Sequence, residues 1–187
     1  MTALKVAPRS PFSEFIIEVE RLLHRSNLDR CRQIGESLRP LLSEKGWIAP
    51  ELLHQRHDGY RRELLYEDDA GVFSIGCFVW GAGQATPIHD HRSWSVIGVL
   101  SGALQSENFA MSASGRLERS ASAELLCEGE VVWLDPTIGD IHRISAGPGD
   151  GGVSVHIYGC SMAAGSRMSV ARVTIMPHSY DVAAPHG

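Results

Sequence analysis

The spacing of apolar residues changes once along the chain, near residue 60. Before that point, apolar residues recur every three or four positions, which is typical of amphipathic helices. A first helix is predicted to start at Ser10-Pro11, because serine caps a helix well and proline suits its first position. A second is predicted from Asn27, with a kink or break at Pro40, and a short third one at residues 50–57. The apolar positions of the first two helices are Phe12, Phe15, Ile16, Val19, Leu22 and Leu23, then Leu28, Cys31, Ile34, Leu38, Leu41 and Leu42.

After residue 60 the apolar period falls to two, which is typical of strands. The short runs are separated by turns rich in Gly, Pro, Asp and Ser, and many such strands at close spacing favour a sandwich or barrel. Strands are predicted at residues 62–66, 72–80, 86–91, 94–100, 105–111, 117–126, 131–134, 142–145, 153–158 and 172–175.

A chain of 187 residues is predicted to form one domain with a sizeable core. We therefore expect a mainly β domain spanning residues 1–187. A mostly helical layer at residues 1–58 would pack on a β-barrel at residues 60–176, and residues 177–187 would form a surface tail.

The candidate chemistry begins with two histidines in the stretch GQATPIHDHRSWSVIGVLSG, residues 83–102. His89 and His91 are one residue apart, and a strand would direct both side chains to the same face. Two neutral imidazoles that converge make half of a site for Fe, Zn, Cu or Ni. Exposed His-x-His pairs are common, so this spacing alone does not establish a metal site.

A second stretch, GEVVWLDPTIGDIHRIS, carries His142 in a similar strand–turn–strand pattern. Together the two stretches resemble the bipartite motif of the cupin superfamily, a jelly-roll barrel of double-stranded β-helix type. The resemblance implies that His89, His91 and His142 are the metal ligands. Cupins usually add a Glu to the first motif and end the second with an Asn. Ser95 and Ala146 stand at those positions here, so the implied ligand set is three histidines and no carboxylate.

A three-histidine cupin site without the glutamate resembles that of the cysteine dioxygenase family of thiol dioxygenases. Two further stretches agree with this resemblance, namely SVHIY at residues 154–158 and YRRELLYED at residues 60–68. The likeness runs from about residue 60 to residue 167 and is similar to bacterial members in its HDHRxWxxIGxLxG and GDxHxxS phrases. It implies one Fe(II) per chain, O2 as co-substrate, and oxidation of a thiol to a sulfinate.

The same resemblance implies a catalytic relay of Ser154, His156 and Tyr158, in which the tyrosine hydroxyl lies near substrate and O2. The alternative is a buried, mutually hydrogen-bonded strand with a structural role. Animal-type members crosslink the tyrosine to a cysteine. Because Ser95 stands at the matching position, Tyr158 is expected to keep a free phenol.

Charge indicates what kind of substrate such a site would take. Three neutral imidazoles leave the +2 charge of a divalent metal uncompensated, which favours an anionic substrate that binds the metal directly. A thiolate is the natural candidate, since a thiol that coordinates a metal loses its proton.

The resemblance also implies which side chains bind the substrate carboxylate. Arg62 matches the arginine of cysteine dioxygenases, and Arg167 matches that of the mercaptopropionate-type relatives. Arginine suits bidentate recognition of a carboxylate, so two arginines in one pocket predict a dicarboxylic thiol, mercaptosuccinate. Cysteine and 3-mercaptopropionate stay open as substrates. Arg167, or Arg61 next to Arg62, could instead face solvent or pair with an acid such as Glu63.

Composition narrows the remaining classes of function. A net charge of -5 and a pI near 6.0 argue against a nucleic-acid or anionic-membrane partner. No apolar run approaches the roughly 18 residues of a membrane span, and the N-terminus lacks a signal-peptide core, so we expect a cytoplasmic protein. Two alternatives stay open: a non-enzymatic small-molecule-binding cupin and a different metal-dependent cupin enzyme. The sequence makes no prediction of oligomeric state.

Overall fold

The structure of the protein is a computed structural model that describes residues 10–91, 93–137 and 139–162. Two α-helices and a short 3-10 helix precede the strands of one antiparallel sheet system. The helices are α1 (Pro11–Leu22), α2 (Asn27–Ser43) and the 3-10 helix (Pro50–Leu53). The strands are β1 (Arg61–Glu67), β2 (Ser74–Trp80), β3 (Ser95–Met111), β4 (Leu117–Arg119), β5 (Glu124–Cys127), β6 (Val131–Leu134), β7 (His142–Ala146) and β8 (Gly152–Tyr158).

The N-terminal helices start where the sequence predicts them. At the start of α1, the Ser13 N–H donates to Ser10 Oγ at 3.1 Å and the Ser10 N–H donates to Ser13 Oγ at 2.8 Å, a reciprocal cap. The expected break at Pro40 does not occur, since α2 continues to Ser43. Burial of Leu41 and Leu42 compensates for the backbone hydrogen bond that a proline cannot donate. The predicted third helix is shorter than expected and ends at Leu53.

Strand β3 is the centre of the sheet system. Its first half pairs with β8 and β6, and its second half pairs with β5, β7 and β4. The two strands predicted at 94–100 and 105–111 are therefore one continuous strand. Gly102 permits this, because its φ of 72° suits glycine, and a Cβ there would lie 2.3 Å from the carbonyl oxygen of Gly151.

Other strand predictions differ in detail. The run 117–126 forms two strands, β4 and β5, rather than one. The segment 86–91 is not a regular strand, since His89 is the only one of its residues that takes part in an isolated bridge. The predicted strand 172–175 and the tail 177–187 lie outside the described residues. Within the described ranges, no helix is both long and apolar enough to cross a membrane.

The sheet formed by β2, β8 and the first half of β3 has two buried faces. The outer face packs its Val, Ile and Cys side chains against α1 and α2. Gly98 lets α2 approach closely, since a Cβ there would lie 2.7 Å from Leu38 Cδ2. The inner face contributes Phe78, Trp80, Ile97, Val99 and Tyr158 to a second buried cluster, which Leu104, Leu126 and Ile144 from the second half of β3, β5 and β7 complete. The architecture confirms a mainly β fold with an N-terminal helical part, and the inner face carries the candidate site.

Candidate metal centre and hydrogen-bonded relay

The two histidine-bearing stretches meet through their backbones. The His89 N–H donates to the His142 carbonyl and the His142 N–H donates to the His89 carbonyl, both at 2.9 Å. Residues paired in this way direct their side chains to the same face. The rings of His89, His91 and His142 have centroids between 4.4 and 4.9 Å apart, and their candidate ligand atoms all lie within 4.8 Å of one another. The structure thus brings the three predicted ligands together.

Two of these rings are oriented by backbone carbonyls. The Nδ1 atom of His89 lies 2.9 Å from the Pro87 carbonyl oxygen, and that of His142 lies 2.9 Å from the Asp140 carbonyl oxygen. A carbonyl can only accept, so each Nδ1 carries the proton and each Nε2 keeps a free lone pair. Burial, with the neighbouring His91, lowers the pKa of His89 to about 4. Burial also lowers the pKa of His142 well below its ordinary value. Both rings are neutral, the form that binds metals.

His91 has a different neighbour, the carboxylate of Asp140. The His91 backbone N–H donates to Asp140 Oδ2 at 2.5 Å, and the ring Nδ1 lies 3.6 Å from the same oxygen. That Nδ1 is buried and has no hydrogen-bond partner among the residues that the structure describes. Sequence reasoning quoted the GDxH phrase without assigning Asp140 a role, although an acid two residues before a predicted ligand was a usable signal.

The predicted relay forms a continuous chain of hydrogen bonds along β8. Ser154 Oγ lies 2.8 Å from His156 Nε2, and His156 Nδ1 lies 2.9 Å from the Tyr158 hydroxyl. The chain has one more member than the sequence predicts, because the indole N–H of Trp80 donates to Ser154 Oγ at 2.9 Å. No local pattern in the sequence indicated this contact, because Trp80 lies on β2 and Ser154 on β8.

The relay ends beside the histidine cluster. The rings of Tyr158 and His91 have centroids 5.8 Å apart, and Phe78 stacks on His156 at 4.0 Å. Burial lowers the pKa of His156 well below its ordinary value, so this imidazole is neutral. Burial and the nearby Tyr60 raise the pKa of Tyr158, while Arg62 opposes the shift. The tyrosine therefore keeps its proton and can donate it in a hydrogen bond.

Ser95 is the residue that the sequence motif places at the position of the cupin glutamate. It pairs with Tyr158 across the β3–β8 ladder and is fully buried. Its hydroxyl has no hydrogen-bond partner within the described part of the chain. A serine cannot form a thioether, so the free phenol of Tyr158 stays the expectation.

The arginines of β1 divide between the two faces of the sheet. Arg61 pairs with Glu63 at 2.5 Å and donates to the Glu51 carbonyl at 2.7 Å, which confirms the alternative reading of Arg61 as an ion-pair residue. Arg62 pairs in register with Phe78, on the inner face, and is exposed at the barrel end. It makes no ion pair or hydrogen bond with any described residue. Its positive charge nevertheless opposes the rise in the pKa of Tyr158. Arg167 lies outside the described residues and stays a prediction.

Solved structures with similar folds carry cupin names. An RmlC-like cupin protein from Desulfovibrio desulfuricans is 23% identical with a TM-score of 0.45, over 62% of this chain and 97% of that one. A cupin superfamily protein from Desulfitobacterium hafniense is 14% identical with a TM-score of 0.45, over 62% of this chain and 91% of that one.

A family model described as cysteine dioxygenase type I matches residues 9–169. The chain belongs to this family, and the family expected from the sequence is confirmed. Membership supports a dioxygenase in general, and together with the three-histidine cluster it indicates a metal ion.

Proposed function

We propose that this member of the cysteine dioxygenase type I family is a non-haem Fe(II) thiol dioxygenase. It would add both atoms of O2 to the sulfur of a small thiol that bears a carboxylate, so that a thiol and one O2 give one sulfinic acid. The observation that carries the proposal is the convergence of three buried histidines beside the hydrogen-bonded hydroxyl of Tyr158.

The donor set fits a divalent transition metal. His89 and His142 are neutral with Nε2 free, and His91 joins them within 4.8 Å, so these three residues would hold the ion. Imidazole suits iron but does not select it, and the choice of Fe(II) follows from the family. When bound, Fe(II) would supply the redox chemistry that activates O2 and the positive charge that keeps the substrate thiol deprotonated.

The relay would hold Tyr158 as a hydrogen-bond donor toward the reacting groups. The indole N–H of Trp80 can only donate, so Ser154 Oγ accepts from it and donates its own hydroxyl hydrogen bond to His156 Nε2. His156 then donates through Nδ1 to the tyrosine oxygen, which leaves the phenol proton free for the substrate or O2. In this arrangement the neutral imidazole fixes the orientation of the hydroxyl, and the buried phenol does not ionise.

Two polar groups near the relay, which have no partner among the described residues, favour a polar, carboxylate-bearing ligand. The buried hydroxyl of Ser95 lacks a partner among the described residues, and such an unmet group costs about 1–3 kcal/mol unless a ligand or water satisfies it. Among the described residues, no acid pairs with the guanidinium of Arg62, whereas Arg61 pairs with Glu63. We propose that Arg62 binds a substrate carboxylate. A second carboxylate meeting Arg167 would make mercaptosuccinate the preferred substrate; cysteine and 3-mercaptopropionate are the alternatives.

The substrate is tested by O2 uptake of the Fe(II)-loaded protein with mercaptosuccinate, 3-mercaptopropionate and cysteine in turn. Arg62→Gln should reduce turnover of mercaptosuccinate far more than that of 3-mercaptopropionate. Arg61→Gln is the matched control, because its guanidinium is already paired with Glu63, and it should leave the ranking of substrates unchanged. Equal losses on all thiols with Arg62→Gln would count against the two-carboxylate pocket. No uptake with any thiol would favour a binding cupin without this activity.

A further inference from the structure

One residue outside the ligand set contacts two of the three histidines. The side chain of Asp140 accepts the His91 backbone N–H at 2.5 Å and lies 3.6 Å from His91 Nδ1. Its backbone carbonyl accepts the Nδ1–H of His142 at 2.9 Å. Only 8% of Asp140 is exposed, so water screens this carboxylate weakly. Asp140 therefore fixes one ligand through its backbone and another through its side chain.

The three rings differ in what faces their Nδ1 atoms. For His89 and His142 it is a neutral backbone carbonyl, within hydrogen-bond distance. For His91 it is a carboxylate, and Nδ1 is otherwise unpartnered among the described residues. A ring that gives Nε2 to a metal carries its proton on Nδ1, where it would face this carboxylate. An acceptor at that position holds the ring orientation and makes the imidazole a stronger ligand.

We propose that Asp140 is a positioning residue of the metal centre, which orients His91 and supplies a negative charge that three neutral ligands lack. The inference rests on the proposed function only for the identity of the metal as Fe(II). It modifies the charge argument made from the sequence, because part of the metal's +2 charge is balanced by the protein before an anionic substrate binds.

The test separates the charge of Asp140 from its shape. Asp140→Asn keeps the size and an oxygen that can accept the His91 N–H, but it removes the charge. We expect Fe(II) affinity, measured by competition with a chelator in the absence of thiol and O2, to fall by about 10–100-fold. The Fe(III)/Fe(II) midpoint potential should rise, because losing a nearby negative charge favours the reduced ion. Asp150→Asn removes an exposed carboxylate that contacts none of the three histidines among the described residues, so it is the matched control and should keep wild-type affinity.

A second variant keeps the proposal falsifiable if Asp140→Asn folds poorly. Asp140→Glu retains the charge and should recover most of the affinity and the potential. Unchanged affinity in Asp140→Asn would overturn the proposal, as would an equal loss in Asp140→Glu and Asp140→Asn. The same competition with Zn(II) makes the outcomes distinguishable. A wild-type protein that binds metal but oxidises no thiol contradicts the proposed function. The metal affinities of the Asp140 variants then still test the role of Asp140 independently.

Discussion

The two faces of strand β8 are equally buried and chemically opposite. Outward, Val153, Val155 and Ile157 join the apolar cluster under the helices. Inward, Ser154, His156 and Tyr158 form a chain of hydrogen bonds within the barrel. Full burial of an apolar side chain stabilises the fold by about 1.5–3 kcal/mol, whereas a buried polar group roughly breaks even when fully hydrogen-bonded. The outer face accounts for stability, and the inner face calls for a functional explanation.

The comparison also explains the protonation states of the inner face. Burial keeps His156 neutral and Tyr158 protonated by shifting both pKa values away from the charged form. The chain of hydrogen bonds from Trp80 through Ser154 and His156 to Tyr158 gives a partner to each of these buried polar side chains. The inner face therefore offers an oriented neutral donor rather than a charge.

The largest effect is expected from the histidine cluster. His89→Ala should abolish iron loading and reduce dioxygenase activity to background, because two imidazoles cannot complete the site. The measurement is metal content per chain together with O2 uptake. His57→Ala, which changes an exposed histidine, is the control and should retain both. Retained iron in His89→Ala would refute the ligand assignment.

A smaller loss is expected at the end of the relay. Tyr158→Phe removes the hydroxyl but keeps the ring, so iron content should stay at the wild-type level while kcat falls by about 10²–10⁴-fold. Tyr66→Phe removes a hydroxyl that contacts only Glu20 among the described partners and should leave kcat unchanged. If Tyr158→Phe turned over at the wild-type rate, the relay would have a structural role only.

The outer face should respond in the opposite way. Ile157→Ala empties a fully buried position among the helices and should lower the free energy of unfolding by about 2–5 kcal/mol. Activity per folded molecule should be retained, since the side chain points away from the relay. Chemical denaturation measures the free energy of unfolding, and turnover normalised to titrated active sites measures the activity per folded molecule. A folded Ile157→Ala protein without activity would show that the two faces do not act separately.

The last prediction concerns the metal-free fold, whose stability should depend on pH. The pKa of His89 falls from 6.5 to about 4 in the fold, and those of His142 and His156 are also lowered. Above pH 6.5 these groups are neutral in both folded and unfolded chains. As pH falls from there toward about 4, the unfolded chain binds protons that the folded one does not, so stability decreases.

Urea denaturation of the metal-free protein at a series of pH values measures this slope. His156→Leu removes one of the contributing groups and should flatten the slope, whereas Ile157→Ala should lower stability by the same amount at every pH. A slope that His156→Leu leaves unchanged would show that His156 does not contribute to the acid sensitivity.

Most of the site could be predicted from the sequence because it depends on local spacing. The alternation of a strand puts Ser154, His156 and Tyr158 on one face, and the short spacing of His89 and His91 keeps them close although residues 86–91 form no regular strand. The predicted separation of helices and strands held for a similar reason, since periods of three to four and of two follow from local geometry.

The rest depends on long-range register, which local spacing does not contain. Trp80 reaches Ser154 only because β2 pairs with β8 so that Trp80 lies opposite Gly152. The carboxylate of Asp140 reaches His91 only because His89 and His142 pair. The fusion of two predicted strands into β3 likewise depends on contacts at Gly102 with a distant segment, near Gly151.

The central claim is that both atoms of one O2 are added to the sulfur of a carboxylate-bearing thiol. The most direct test supplies isotopically labelled O2 to the Fe(II)-loaded protein with mercaptosuccinate, 3-mercaptopropionate and cysteine separately, and analyses each product by mass spectrometry. The account predicts a sulfinate that carries both labelled atoms, with one O2 consumed per thiol. A disulfide, a product with a single labelled atom, or no product from any of the thiols would contradict it.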